Sequence, residues 1–274
     1  MDIATMNKYI RQFIPPICFT AYQRVLKKSG YFGDFRSWAD AQNASTGYDS
    51  EAILNVVKTA LLKVKNGEAV YERDSVLFDE VQYSWPLLSS LLWIASCNGN
   101  RLNLLDFGGS LGSSFFQNRT LLGHLTKLSW SVVEQENFVH CGRDFFEDQF
   151  LKFYFTIDEC LEARHPDSIL LSSVLPYMED PYELLAHIIK QKITYIVIDR
   201  TPILDGVKDR LTVQHVPAEI YYARYPAWIL GRDKLLKMFE NDYELVMHFD
   251  ALAGSIFLGD TFAYDKGFVF KLRS

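Results

Sequence analysis

Leu104-Leu105-Asp106-Phe107-Gly108-Gly109-Ser110-Leu111-Gly112 is the stretch on which the reading of this chain turns. Apolar residues run up to an acid, small residues follow at once, and a helical stretch lies beyond. That order spells a strand, a tight turn and a helix N-terminus. Small residues are required in such a turn, because backbone passes close to a ligand and some positions need φ > 0. The helix beyond offers N–H groups that have no intrahelical partner.

Downstream of residue 101, short apolar runs alternate with amphipathic stretches, the pattern of parallel strands joined by crossover helices. Strands are expected at 102–107, 129–134, 152–156, 168–172 and 193–199. A long irregular region then precedes a helix at 232–240. Two last strands, at 243–249 and 267–272, are expected on either side of a long excursion. A last strand returning antiparallel beside its predecessor distinguishes the methyltransferase version of the doubly wound fold from dinucleotide-binding folds, which finish in parallel strands. The expected fold class is therefore α/β, a doubly wound and mostly parallel seven-stranded sheet with an antiparallel last strand. Upstream, residues 1–100 read as a helical N-terminal cap, with helices at 37–44, 51–65 and 84–96, and residues 101–274 as the Rossmann-like domain.

A chain of 274 residues buries a sizeable core. With a net charge of −6 and no basic stripe, it is poorly suited to nucleic acid phosphates. Cys18, Cys97, Cys141 and Cys160 form no CxxC pair and no metal-ligand spacing, so reduced thiols, a cytoplasmic setting and no metal are expected. The apolar stretch 86–95 falls short of the about 20 residues that span a bilayer. Lys8, Arg11, Arg24, Lys27 and Lys28 surround apolar and aromatic residues near the start. That segment reads either as a docking helix and turn or as a weak peripheral contact with an anionic membrane surface. Oligomeric state is not legible.

The dinucleotide fingerprint GxGxxG would need glycine at 108, 110 and 113, and serines stand at 110 and 113. The pattern D-x-G-x-G-x-G, used for S-adenosylmethionine, fits Asp106, Gly108 and Gly112, with Gly109 inside the turn and Ser110 in the middle glycine's place. An acid so close to the loop would repel a pyrophosphate but suits a cationic amino group. Glu134 ends the next strand where a carboxylate accepts both hydrogen bonds of a ribose diol, and Gln135 follows it. Ser172, Ser173 and Tyr177 leave the fourth strand at the carboxyl edge of the sheet, where ligands bind in this architecture. Cys141, Gly142 and residues 156–158 are expected near an adenine pocket. Tyr71 and Arg73, in a polar patch of the N-terminal region, are expected to fold over the cofactor.

These residues, with Phe32-Gly-Asp-Phe-Arg-Ser-Trp38, Ser45-Thr-Gly-Tyr-Asp49, Tyr71-Glu-Arg-Asp-Ser75, Asp199-Arg-Thr-Pro202 and Tyr225-Pro-Ala-Trp228, resemble a family of bacterial methyltransferases often encoded among surface-polysaccharide biosynthesis genes. The resemblance implies the methyltransferase fold and a glycan-related acceptor.

On the acceptor side, an alcohol must lose its proton near methyl transfer, so a base within reach helps. His215 is the first candidate, with Asp199 and Tyr177 beside it. Arg200, Tyr221, Tyr222 and Arg224 belong to a polar and aromatic stretch suited to a sugar or to an anionic group on the acceptor. Asp199 and Asp205 alone are too few for a metal site. The alternatives are a different small-molecule acceptor or a methyltransferase-like binding module without turnover.

Overall fold

A computed structural model describes residues 29–46, 50–73, 76–216 and 223–274. The basic segment from Lys8 to Lys28, Tyr221 and Tyr222 lie outside the described residues, as does the side chain of Arg73. In chain order the elements are β1 (Gly30–Phe35), α1 (Trp38–Asn43), α2 (Ser50–Lys65), β2 (Tyr71–Arg73), β3 (Val76–Phe78), α3 (Trp85–Cys97), β4 (Arg101–Phe107) and α4 (Ser113–Leu122). There follow β5 (Lys127–Val133), α5 (Glu136–Phe145), β6 (Leu151–Tyr154), α6 (Ile157–Arg164), β7 (Ser168–Ser172), a single 3-10 turn (Leu175–Tyr177) and α7 (Pro181–Lys190). The chain closes with β8 (Tyr195–Leu204), β9 (Arg210–His215), β10 (Arg224–Gly231), α8 (Arg232–Lys237), β11 (Tyr243–Phe257) and β12 (Phe262–Leu272).

Seven strands pair in the order β6-β5-β4-β7-β8-β12-β11, parallel throughout except for β12, which runs antiparallel to both neighbours. This is the doubly wound plan with a reversed last strand that the sequence predicts. Side-chain alternation along each strand explains why the sheet is covered on both faces. Leu104, Leu170 and Val197 point to one face, into a core with Leu61, Leu91, Phe115, Trp130 and Val139 from the helices and strands around them. Their sequence neighbours Leu105, Ile169, Leu171, Ile196 and Ile198 point to the other, against Leu185 and Ile188 of α7 and Leu235 of α8. Each fully buried aliphatic side chain contributes about 1.5–3 kcal/mol, so this two-sided apolar pattern dominates the sheet's stability.

The structure adds strands that the sequence reading does not contain. Residues 205–231, expected to be irregular, supply β9 and β10, and the N-terminal region supplies β1, β2 and β3 besides its helices. β1 pairs with β9, β9 with β10, and β10 reaches β8 only through Leu230↔Ile203 and Gly231↔Leu204. These positions lie beyond Ser172↔Asp199, the last pair of β7 with β8. The extension therefore begins where β7 has ended, and it walls the carboxyl edge of the sheet. The excursion expected at 250–266 is also mostly strand, since β11 and β12 continue past it to the pair Phe257↔Phe262. Burial runs through consecutive residues of β9 and β10, Leu211 to Val213 and Ile229 to Gly231, rather than alternating, which hid both from a period-2 reading.

Local chemistry fixes the ends of several helices. Ser37 Oγ accepts from Asp40 N, Thr156 Oγ1 from Glu159 N, and Asp180 Oδ1 from Tyr182 N and Glu183 N ahead of α7. Among the described residues no helix is long and apolar enough to cross a membrane. Cys141 and Cys160 are buried free thiols and Cys97 is exposed.

Gly142 tests the packing. It lies in α5, and a Cβ added there would sit 2.4 Å from the ring of buried Phe153. Alanine's helix propensity favours the change by about 1 kcal/mol, and overpacking opposes it by about 1–3 kcal/mol. Gly142→Ala is expected to be net destabilising in urea unfolding, with Phe153→Leu restoring part of the loss.

Candidate functional site

Everything that marks a site lies at the carboxyl ends of β4, β5, β7 and β8. Asp106, near the end of β4, is 1% exposed, and its Oδ2 accepts a 2.9 Å hydrogen bond from the indole N–H of Trp130 on β5. The carboxylate lies beneath the turn, for a Cβ on Gly109 would sit 2.5 Å from it. Gly108 (φ 71°) passes against Val174, and Gly112 (φ 92°) caps α4, both in the left-handed region that glycine tolerates. Ser110, between them, adopts φ 54° despite its side chain.

Glu134 closes over the loop. Its Oε1 accepts from Ser110 N at 3.3 Å and its Oε2 from Gln135 N at 2.7 Å. Gln135 is exposed at the start of α5. Across the edge, Ser172 Oγ donates to Asp199 Oδ2 at 2.8 Å, and Ser173 N donates to the Asp199 carbonyl at 3.0 Å. Asp199 is 1% exposed, and its Oδ1 has no hydrogen-bond partner among the described residues.

β8 carries a bulge at this point. Ile198 pairs with Phe268 and Thr201 with Lys266, so Asp199 and Arg200 together stand opposite Gly267 alone. Arg200 takes φ 50° to make it, and Ser173 opposite takes φ 56°. Left-handed backbone at a residue with a Cβ costs about 1–2 kcal/mol. Three such residues, Ser110, Ser173 and Arg200, are gathered at one edge, as strain at functional sites is.

Burial raises the carboxyl pKa values here. Asp106 is pushed up to about 7, by desolvation first, against the Trp130 hydrogen bond, with Glu134 and Asp199 pushing further. Desolvation likewise raises Glu134, opposed by its two backbone N–H bonds, and Asp199, opposed by Ser172 and Arg200. Three acids held out of water at one edge favour a ligand that brings positive charge.

A small cleft of about 30 Å³ opens beside this edge, lined by Tyr71, Gln117, Ser172, Asp199, Arg200 and Leu252 among others. Its outer wall is the N-terminal region. Tyr71 is buried and accepts from Gln117 Nε2 at 2.9 Å, and buried Glu72 accepts from Ser113 Oγ at 2.8 Å. The β2–β3 hairpin is thereby fastened to the first turns of α4.

The sequence matches no protein-family model, and no curated protein aligns with it. Solved structures similar to it are the N-terminal domain of EvdMO1 with SAH bound (16% identity over 82% of this chain and 98% of that one, TM-score 0.45), and magnesium protoporphyrin IX methyltransferase from Synechocystis PCC 6803 with bound SAM (12%, 84% and 99%, TM-score 0.43). The glycopeptide N-methyltransferase MtfA complexed with sinefungin is another (10% identity over 68% of this chain and 94% of that one, TM-score 0.44). All three superpose loosely, so the fold stands on this chain's own strand order.

The structure thus gathers Asp106, Gly108, Gly109, Ser110, Gly112, Glu134 and Gln135 around one turn, and Ser172, Ser173, Asp199 and Arg200 beside it. Other expected residues lie elsewhere. His215, half-buried at the end of β9, packs against the Phe32 ring at 4.4 Å. Tyr177 donates to Gln214 Oε1 at 2.7 Å and meets Tyr225 edge-on. Arg224 begins β10, its backbone N–H bonded to Thr46 Oγ1. None of these three lines the cleft. Asp205 is exposed and pairs with Arg232. Cys141 and Gly142 face the core rather than an adenine pocket, Cys141 within the apolar cluster and Gly142 against the Phe153 ring. Trp130, Ser114 and Gln117 were missed; the three-residue spacing of the last two, which puts them on one helix face, was a usable signal.

The raised pKa of Asp106 sets a pH dependence. The folded chain keeps a proton that the unfolded chain releases between about pH 4 and about 7. The stability from this group is full below that window and is lost as pH rises through it. Asp265, raised to about 6, acts in the same direction. Asp106→Asn is expected to flatten the fall in urea midpoint between the ends of the window, and an unchanged slope would contradict the shift.

Proposed function

We propose that this chain is an S-adenosylmethionine-dependent methyltransferase acting on a hydroxyl of a sugar or surface-glycan precursor. The observation that carries the reading is the turn at 108–112 with Glu134 folded over it, set above the buried Asp106 at the carboxyl edge of a sheet with a reversed last strand. The residues present fit the cofactor. Cβ atoms at Gly108, Gly109 and Gly112 would strike Val174, Asp106 and Leu151, so only glycine lets the turn lie this close over the end of the strand. Glu134 has the two acceptor oxygens that a vicinal diol needs, and Gln135 stands next to it. Tyr71, Ser172 and Ser173 flank the same edge, and Arg73 follows Tyr71 on β2. The acids there complement a ligand that carries positive charge in both a sulfonium and an ammonium group.

Bound there, the cofactor supplies an electrophilic methyl group. The chain's part is to orient that group, exclude water and receive the acceptor's proton. The cleft between the strand ends and the β2–β3 hairpin is where the acceptor would enter, and its neutral hydrogen-bonding side chains suit a polyhydroxylated molecule. The basic segment from Lys8 to Lys28 belongs to the proposal as a weak contact with an anionic membrane surface on the cytoplasmic side.

Calorimetric titration with S-adenosylmethionine and S-adenosylhomocysteine tests the reading. Micromolar binding is expected, weakened at least about tenfold (about 1.4 kcal/mol) in Glu134→Ala. Absence of binding to the unaltered protein would rule out the enzyme and favour a binding module that keeps only the fold.

A further inference from the structure

We propose that Asp199 is the residue that takes up the proton of the acceptor hydroxyl, its side chain brought to the lining of the cleft by the bulge in β8 and its Oδ1 buried without a hydrogen-bond partner among the described residues. This rests on the methyltransferase reading above and adds the identity of the proton acceptor. The geometry singles out Asp199 in three ways. Successive residues of a regular strand point to opposite faces, yet Asp199 and Arg200 both line the cleft, because the bulge opposite Gly267 turns them together. The two carboxylate oxygens are differentiated: Ser172 fixes Oδ2, and Oδ1 has no partner among the described residues although the side chain is 1% exposed. A buried carboxylate oxygen left open costs about 1–3 kcal/mol or more, and an O–H donor entering the cleft removes that cost.

The other candidates are engaged away from the cleft. The Tyr177 hydroxyl donates to Gln214, and His215 lies against Phe32. Glu72, the buried acid of the hairpin, accepts from Ser113.

The charges acting on Asp199 come from its own strand and from both sides. Arg200 lies beside it, while Asp106 on β4 and Asp265 on β12 interact with it as like charges. Desolvation raises its affinity for a proton, and Ser172 and Arg200 hold that rise in check. In the step itself the acceptor's O–H bond breaks and its proton goes to Asp199 Oδ1. The oxygen's electron pair forms the new O–C bond to the methyl carbon of the sulfonium donor, and the S–C bonding pair stays on sulfur as a neutral thioether. The proton then leaves Asp199 for solvent once the product departs.

Asp199→Asn keeps the shape and one acceptor oxygen but cannot carry the proton. Three measurements separate the outcomes: S-adenosylhomocysteine affinity by calorimetry, contact of a panel of neutral monosaccharides with the S-adenosylhomocysteine-loaded protein by saturation-transfer NMR, and transfer of labelled methyl to the same panel. The expected result is S-adenosylhomocysteine still bound by Asp199→Asn, retained sugar contact, and methyl transfer at saturating cofactor lowered by about 10²–10⁴-fold. Transfer within about tenfold of the unaltered protein, or no monosaccharide contacting the unaltered protein once S-adenosylhomocysteine is bound, would overturn the assignment. Failure of the unaltered protein to bind S-adenosylhomocysteine would instead remove the methyltransferase reading on which it rests.

Discussion

Burying the Asp106 carboxylate costs free energy unless its oxygens find donors, and the indole N–H of Trp130 supplies one from the adjacent strand. Much of the surrounding structure follows from this. Gly109 is glycine because any side chain would strike the carboxylate, and Gly108 and Gly112 carry the chain over it in backbone conformations that favour glycine. Glu134 then binds the Ser110 amide from outside, so the loop is held between an acid below and an acid above. The Glu134 charge so placed adds to the rise that burial gives the Asp106 pKa. A fold optimised only for stability would have little use for such a pair, and a positively charged ligand would give it one.

The second organising feature is the way β8 outlasts its neighbour. β7 stops at Ser172, and β8 continues through a bulge to Leu204, where β10 takes up the vacated side. The bulge turns Asp199 and Arg200 toward the cleft, and the β10-β9-β1 extension builds a wall beyond the end of β7 without lining the cleft itself. The 3-10 turn at Leu175–Tyr177 packs into that wall through Tyr177, Gln214 and Tyr225. On the opposite side, the β2–β3 hairpin is held to α4 by Tyr71 and Glu72. A sheet edge common to doubly wound proteins thereby gains a cleft lined by side chains of the hairpin, α4, β7 and β8.

The central sheet and the turn at 106–112 were legible because both are local. Strand alternation, small residues after an acid, and a carboxylate one strand later are all written in short windows. What was not legible depends on distant pairing. β9 and β10 read as irregular although they pair with each other, because their outer partners lie far away, at β1 and at the end of β8. The bulge carries no sequence signal, since Arg200 takes a left-handed conformation without being glycine. His215, chosen for its chemistry, is placed by β-sheet register against Phe32. Asp199 and Glu134, chosen for ending apolar runs, stand at the carboxyl edge because that position follows from the strand itself.

Amide hydrogen exchange with and without S-adenosylhomocysteine tests the central claim, that the carboxyl edge around 108–112 and Glu134 is where the adenosyl cofactor sits. The account predicts slowed exchange confined to the 108–112 turn, residues 134–136 and the end of β7, with the turns at Asn100, His165 and Lys192 on the opposite edge unchanged. Slowed exchange centred on those opposite turns, or none along 108–112 with the ligand bound, would contradict it.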